Sequence, residues 1–426
     1  MQSRILIGDL GEHIGKEVLI QGWVDVRRDQ GKMVFFDFRD RTGKVQGVVL
    51  PGSAAMETAK EIRPEYVVSV TGKVNKRPEK NAQADKQNGD IELEILEIEI
   101  LAKADIPFER DAELNIDTYL DHQPYTLRSE EGQKIFKIQA RIIEAYREAL
   151  RERGFTEFQA PALVGGDAEG GAAAFKVDYY YDQKAYLATS PQFYKQIMVG
   201  VFERVFTTPK VFRGEKHATT RHLSEYSTLD FEMGFIKNHT DVMAVLEEVI
   251  RHIAMKIPEG NLRIPQKIPV MHIREVQKNL GVSEDEPDLE PEHERAICEW
   301  ALKEHGSDFV FVTHYPMSKR PFYTYEDAEQ PGYSRSFDLL FRGLEVSTGG
   351  QRLHSYDALI ESLEKRGMDP KLFSFYLEAF KVGMPPHGGC AVGLERFTAR
   401  LLNLANVKEA TLFPRDLNRI DTLLSS

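Results

Sequence analysis

With 426 residues, 42% hydrophobic and 29% charged, the chain is long enough for two or more domains with sizeable cores and too apolar to be disordered. Residues 1–12 lack the apolar core of a signal peptide, no run reaches the roughly 20 apolar residues of a membrane span, and Cys298 and Cys390 lie too far apart for a zinc-type cluster, so a cytoplasmic protein with no membrane partner is expected. The formal net charge of −12 argues mildly against nucleic-acid binding, which needs Lys and Arg, although a basic face on an acidic body suffices.

Taken in chain order, residues 18–24, 33–38, 45–49, 66–74 and 91–100 read as strands, with Gly31, Thr42–Gly43 and Asn88–Gly89 supplying turn chemistry. In the last of them Ile91, Leu93 and Ile95 alternate with Glu92 and Glu94. The phase then changes, and Leu96, Ile98 and Ile100 alternate with Glu97 and Glu99. Alternation means one buried face, and the change of phase predicts a bulge or bend. Five strands with a bend suggest a small barrel of the OB type over residues 1–103. Residues 104–128, with Pro107 and Pro124, read as a hinge. Ser129, Glu130 and Glu131 open a helix carrying Ile135, Ile138, Ile142 and Leu150, and Gly154 closes it. Residues 129–426 mix strands and helices, which makes the chain α+β. A second helical stretch, 241–257, begins a segment to about 305 that lacks site-like clusters and reads as an insertion.

Residues 211–232 have apolar ends and a polar middle, which reads as two strands joined by a loop with Thr219, Thr220, Arg221 and His222. Arg213 at the strand end can clamp a phosphate, because its planar fork matches two oxygens. Nearer the C-terminus, Gly388, Gly389 and Gly393 precede Glu395, Arg396 and a helix-like run; glycine lets a backbone approach a ligand closely. Alone, each stretch also fits an ordinary hairpin or tight turn. Together and in this order, Phe212-Arg-x-Glu215 with its loop ending in Arg221 and His222, and Gly393-Leu-Glu-Arg396, resemble motifs 2 and 3 of the class II aminoacyl-tRNA synthetases. Phe158-Gln-Ala-Pro161 resembles motif 1, the usual dimer contact of that family. The barrel ahead of them resembles the subgroup for aspartate, asparagine and lysine. Four further features resemble its short, archaeal-type aspartyl members: Lys195 in Ser190-Pro-Gln-x-x-Lys, Arg352 in Gly349-x-x-Arg-x-His, Asp230 after Leu229, and Leu412-Phe-Pro-Arg-Asp416. Two cations around one carboxylate favour aspartate over the neutral asparagine amide.

The resemblance implies an ATP-dependent ligase that joins L-aspartate to tRNA(Asp), acts as a homodimer and uses Mg2+; whether tRNA(Asn) is also charged stays open. It implies Arg213 and Arg396 as the catalytic pair, with Arg213 at the α-phosphate and also beside the aspartate. Glu215 would position the adenylate or the tRNA terminus, and His222 and Arg396 would meet the γ-phosphate. Tyr226 and Arg396 would enclose the adenine, and Arg221, Leu223, Glu345, Gly393 and Glu395 would complete the ATP site. Glu345 and Thr348 would supply hard oxygen to the metal. Glu169, Gln192, Lys195, Asp230, Thr348 and Arg352 would surround the aspartate. In the barrel, Arg28, Phe35, Gln46 and Glu92 would read the anticodon, Phe35 by stacking if it stands outside the core. The loop over 165–174 departs from the family pattern: Ala168 replaces a hydroxyl before Glu169, and three alanines follow Gly171. The alternatives are an asparaginyl enzyme, against which Lys195, Asp230 and Asp416 speak, and a non-catalytic tRNA-binding paralogue, which would have no need to keep Arg213, Glu345 and Arg396.

Overall fold

The computed structural model describes residues 3–83, 85–166, 173–216, 219–283 and 285–420. It divides into two compact units, Met1–Glu113 and Leu114–Ser426.

In the first unit β1 (Glu17–Asp29), β2 (Val34–Arg39), β3 (Lys44–Val49), β4 (Val67–Lys76) and β5 (Ile91–Ala102) close a barrel in the order β1-β2-β3-β5-β4. Period-2 alternation fills the interior, where Val18, Ile20, Phe36, Phe38, Val70, Leu93 and Ile95 are buried. The phase change in β5 is a bulge: Thr71 pairs with Glu97 and Gly72 with Ile95, which leaves Leu96 without an opposite residue. The stretch expected to be one hinge is two different things. Arg110 is held by Asp25 and Glu65, carboxylates of the barrel unit that also bind Arg39 at 3.1 and 2.6 Å. Beyond it Ile116–Asp121 and Gln123–Thr126 are helical and belong to the second unit.

The second unit is built on a sheet of β6 (Thr156–Glu157), β10 (Arg204–Thr207), β11 (Lys210–Phe212), β12 (Glu225–Gly234), β13 (Val270–His272), β14 (Phe309–Thr313), β15 (Ser336–Phe341), β16 (Leu344–Arg352) and β17 (His387–Gly393). Its order is β13-β14-β15-β16-β17-β12-β10-β6, with β11 paired to β12. A small sheet of β7 (Leu163–Val164), β9 (Lys184–Leu187) and β8 (Lys176–Asp178) lies apart from it. Most neighbours in the large sheet run antiparallel; β13–β14 and β10–β6 run parallel. The helix Glu130–Glu152 starts at Ser129, whose hydroxyl accepts from the amide of Gly132, and it ends before Gly154 at φ +77°. Its Ile138, Ile142, Tyr146 and Leu150 share one core with Phe206, Phe231, Leu339 and Cys390 of the sheet.

The segment over 240–305 corrects the reading of an insertion. The helix His239–Lys256 places Val242, Leu246, Val249 and Ile253 on one stripe, and all four are buried in that same core. Within the segment β13 then forms the edge of the sheet, beside β14. The sequence showed the helix but not the face it packs against, because the partner residues lie far away in the chain.

Three registers build the working surface. β12 lies against β17 with Asp230 opposite Ala391 and Glu232 opposite Gly389. β17 lies against β16 with Ala391 opposite Thr348 and His387 opposite Arg352. β16 lies against β15 with Thr348 opposite Asp338.

Candidate active site

A cavity of about 490 Å³ opens on these strands, and every described residue expected at the ATP, aspartate and metal sites lines it. Ala168 and Glu169 fall outside the described residues.

At one end lie four buried charged side chains. Lys195 comes from the helix Gln192–Phe202, whose inward face is Gln192, Lys195, Gln196 and Val199, a helical spacing that carries a lysine inside. Asp230 and Glu232 sit two apart on β12 and so share a face, and Arg352 closes β16. Lys195 Nζ donates to Asp230 Oδ1 at 2.9 Å and to the carbonyl of Cys390 at 3.2 Å, and it stands 3.4 Å from Glu232 Oε2. Arg352 Nε donates to Glu232 Oε1 at 3.0 Å, and a terminal nitrogen donates to the carbonyl of Gly389 at 3.0 Å. Burial works against the ammonium of Lys195, but Asp230 and Glu232 outweigh it and raise its pKa above that of an ordinary lysine. Burial likewise opposes the carboxylate of Glu232, yet Arg352 and Lys195 hold it below the usual glutamate value. Lys195, Glu232 and Arg352 are therefore held in their charged forms, and the formal charges of the two cations and two carboxylates cancel. Gly389 makes room for it: a Cβ there would stand 2.1 Å from the carbonyl of Phe231 and 2.3 Å from Glu232 Oε2.

The cluster modifies the sequence expectation. Lys195 and Arg352 do not stand bare around a substrate carboxylate; each is already met by an internal one. Glu232 was not singled out from the sequence, although its place two residues after Asp230 in a strand was a usable signal. Gln192 Nε2 and Asp230 Oδ2 are buried polar atoms without a hydrogen-bond partner, which marks them as groups that a ligand can satisfy.

The other end is rich in arginine. Arg213 follows β11, with its guanidinium carbon 5.7 Å from the centre of the Tyr226 ring. Gly214 beside it lets another segment pass, since a Cβ there would lie 2.7 Å from the carbonyl of Ala173. Arg396, in the first turn of the helix Leu394–Leu401, donates to the carbonyl of Glu345 at 3.2 Å and stands 3.7 Å from its carboxylate. Thr348 Oγ1 donates to Glu345 Oε1 at 3.0 Å. Behind this pair, the buried Asp338 meets Arg320 at 3.0 Å. Burial pushes Asp338 above the usual aspartate range, Arg320 opposes this and Glu345 adds to it. Two carboxylates and a hydroxyl crowded in this way fit a hard divalent cation, which would relieve their repulsion. Asp338 was not found from sequence because only the β15–β16 register brings it to Thr348, and Arg320 because it reaches Asp338 from a turn outside both strands.

Arg221, His222 and Glu395 line the cavity with their own internal partners. Arg221 donates through one terminal nitrogen to both oxygens of Glu294, at 2.7 and 2.6 Å. Glu294 also accepts from the backbone amide of Glu345 at 2.9 Å. It belongs to the helix Pro291–His305, inside the segment expected to carry no site residues. His222 Nδ1 lies 2.6 Å from Thr219 Oγ1. Glu395 accepts from the amide of Ser227 at 3.0 Å through both oxygens, and burial raises its pKa. It thereby fixes the start of β12. Glu215, Leu223 and Gly393 complete the wall.

On the barrel, neighbouring strands bring Arg28, Phe35, Gln46 and Glu92 to one face. Phe36 and Phe38 are fully buried while Phe35 is half-buried, so Phe35 stands outside the core. Arg28 donates to Asp37 at 2.7 and 2.8 Å and reaches Gln46 at 3.4 Å; Gln46 in turn reaches Glu92 at 3.4 Å. Asp37, which steadies Arg28, was missed from the sequence.

Residues 115–417 match the family described as tRNA synthetases class II (D, K and N), and residues 18–101 match the OB-fold nucleic acid binding domain. A protein of Thermus thermophilus named aspartate--tRNA(Asp/Asn) ligase is 44% identical over 98% of this chain and 99% of its own. One of the same name from Deinococcus radiodurans is 40% identical, over 98% of each chain. Among solved structures, asparaginyl-tRNA synthetase from Pyrococcus horikoshii, complexed with asparaginyl-adenylate, matches with a TM-score of 0.88 at 30% identity, covering 99% of this chain and 100% of that one.

Proposed function

The chain belongs to the class II tRNA synthetases for aspartate, lysine and asparagine, and on that premise we propose that it activates L-aspartate with ATP and transfers it to the 3′ end of tRNA. It is an aminoacyl-tRNA synthetase, an aspartate–tRNA ligase. The observation that carries the choice of aspartate is the buried cluster of Lys195, Asp230, Glu232 and Arg352. A substrate carboxylate can share its two cations, whereas the amide of asparagine would turn donors towards them. The unpartnered second oxygen of Asp230 would accept from the α-ammonium group, and the unpartnered Nε2 of Gln192 would donate to an oxygen of the substrate. Among solved structures an asparaginyl enzyme is a near match, which keeps that reading as the competitor.

In the first step the aspartate carboxylate attacks the α-phosphorus of ATP and pyrophosphate leaves. In the second, a ribose hydroxyl at the tRNA terminus attacks the carbonyl of the aspartyl-adenylate and AMP leaves. Arg213 and Arg396 lower the barrier by meeting charge that grows on the phosphate oxygens, and the cavity supplies position. Tyr226 offers its ring to the adenine. Glu345 and Thr348 would hold Mg2+, which when bound neutralises phosphate oxygens. No group of three or more His, Cys, Asp or Glu able to hold a metal occurs among the described residues, so the phosphates themselves would complete its shell.

The barrel face of Arg28, Phe35, Gln46 and Glu92 is proposed to read the anticodon of tRNA(Asp), with tRNA(Asn) as a second substrate, in keeping with the names of the two relatives. A homodimer is proposed at the open edge of β6, the last strand of the sheet order, where motif 1 begins. No helix among the described residues is long and apolar enough to cross a membrane, and a cytoplasmic location is part of this proposal. Exchange of labelled pyrophosphate into ATP should depend on aspartate. Exchange driven better by asparagine would reject the aspartate reading.

A further inference from the structure

We propose that Glu294 is a positioning residue for the ATP-phosphate end of the site: it aims Arg221 into the cavity and ties the loop of Arg221 to the strand of Glu345. The inference rests on the reading of Arg221 as part of the ATP site and takes the triphosphate as the group it meets.

Three bonds converge on this one carboxylate. Both of its oxygens meet the same terminal nitrogen of Arg221, at 2.7 and 2.6 Å, and Oε2 also accepts from the amide of Glu345 at 2.9 Å. The residue is 6% exposed, so these bonds are little weakened by water. Because they run through a single terminal nitrogen, the guanidinium is gripped by one corner while it still lines the cavity.

The grip comes from a rigid element. The helix Pro291–His305 buries Ile297, Cys298 and Ala301 in a core with Val310 and Val312 of β14 and Leu340 of β15. Arg221, by contrast, sits in irregular chain between β11 and β12. A long side chain on a loop holds one direction only if a packed partner fixes it. A second cation lies in the same field: burial lowers the pKa of Arg400, the repulsion of Arg221 adds to this, and the attraction of Glu294 opposes it. Without that charge Arg221 would lose the two bonds that hold its guanidinium in the wall. The same carboxylate holds the backbone of Glu345, so the arginine for the phosphate tail and the carboxylate for the cation are set by a single residue.

Glu294→Gln tests this, since it keeps the volume and an acceptor for the Glu345 amide while it removes the charge and one acceptor for Arg221. Aspartate-dependent pyrophosphate exchange is measured on Glu294→Gln, Arg221→Gln and the double variant, with KM determined separately for ATP and aspartate. The expected result is a rise of about tenfold or more in KM for ATP, with KM for aspartate nearly unchanged, and a double variant no worse than Arg221→Gln. A structural ion pair alone would lower thermal stability and leave the ratio of the two KM values as it was. If Arg221→Gln raises KM for ATP and Glu294→Gln does not, or if the two effects add, the inference is overturned while the proposed function stands. If neither variant moves KM for ATP, the role of Arg221 itself falls, and the inference with it. Should Glu294→Gln fail to fold, Glu294→Asp decides: one methylene shorter, it cannot span Arg221 and Glu345 together, and an unchanged KM for ATP overturns the proposal.

Discussion

Lys195→Met removes one charge from the buried cluster, with its hydrogen bonds to Asp230 and the carbonyl of Cys390, and changes the volume little. The cluster would pass from neutral to a net charge of −1. Asp230 would lose the cation 2.9 Å from Oδ1, and its other oxygen already has no hydrogen-bond partner. Glu232 would keep Arg352 at 3.0 Å. Lys195 and Asp230 are each 1% exposed, so no discount for solvent applies. Breaking a buried pair in this way costs about 3–5 kcal/mol, which lowers Tm by roughly 5–10 °C for a unit of this size. Aspartate binding suffers separately, since the substrate brings a further carboxylate to a site already short of a cation. We expect a loss of at least about 2 kcal/mol, roughly thirtyfold in Kd. Asparagine should gain little, because Arg352 still presents donors to its amide. Calorimetry with a non-hydrolysable ATP analogue, with aspartate and then asparagine, reads the affinities; a thermal melt reads the stability. A lowered Tm with unchanged aspartate affinity would show the cluster to be structural, and the case for aspartate would then lose its main support. An unchanged Tm would refute the electrostatic reasoning itself.

Arg213→Ala should fold normally and lose pyrophosphate exchange by roughly 10²–10³, the usual effect of removing one preorganised donor to a transition state; near-normal exchange would reject its role. Phe35→Ala should weaken tRNA charging by about 1–3 kcal/mol and spare exchange, and equal loss in both steps would mean that Phe35 serves the barrel core. Stability should fall in mild acid because of His387, which burial pushes down to about 4, with Nδ1 2.9 Å from the carbonyl of Pro385 and Nε2 2.9 Å from Gln196. A depressed pKa in the folded state means that the unfolded chain takes up the proton first. The stabilisation is therefore complete above about pH 6.5 and is lost as pH falls towards 4, by about 2 kcal/mol between pH 7 and 5. Urea unfolding at those two pH values should show a smaller drop for His387→Gln than for the wild type, and equal drops would exclude the histidine as a cause.

The parts legible in the sequence were those written locally. Alternation gave the barrel strands, and the phase change between Ile95 and Leu96 gave the bulge. The short motifs around Arg213, Lys195, Arg352 and Arg396 marked residues that the fold does bring to one cavity. What stayed hidden depends on which strand lies beside which. Asp338 matters because it sits opposite Thr348, and Glu294 because a distant helix turns it towards Arg221. The packing of the segment over 240–305 stayed hidden for the same reason: an apolar stripe states that something is covered, but not what covers it. Glu232 is different: strand periodicity puts it on the face of Asp230, yet it was passed over.

The neutrality of the buried cluster has a kinetic consequence. Two cations already matched by two anions present little field to the solvent, so an approaching aspartate is steered no faster than an approaching asparagine by this part of the pocket. On the proposed reading of the pocket, the internal carboxylates would act as resident competitors, and binding would be a rearrangement of partners rather than a capture by free charge. Discrimination must then be expressed in departure: the wrong amino acid enters as readily and leaves sooner. Selectivity of this kind should vary little with ionic strength, because the exchange takes place where salt does not reach.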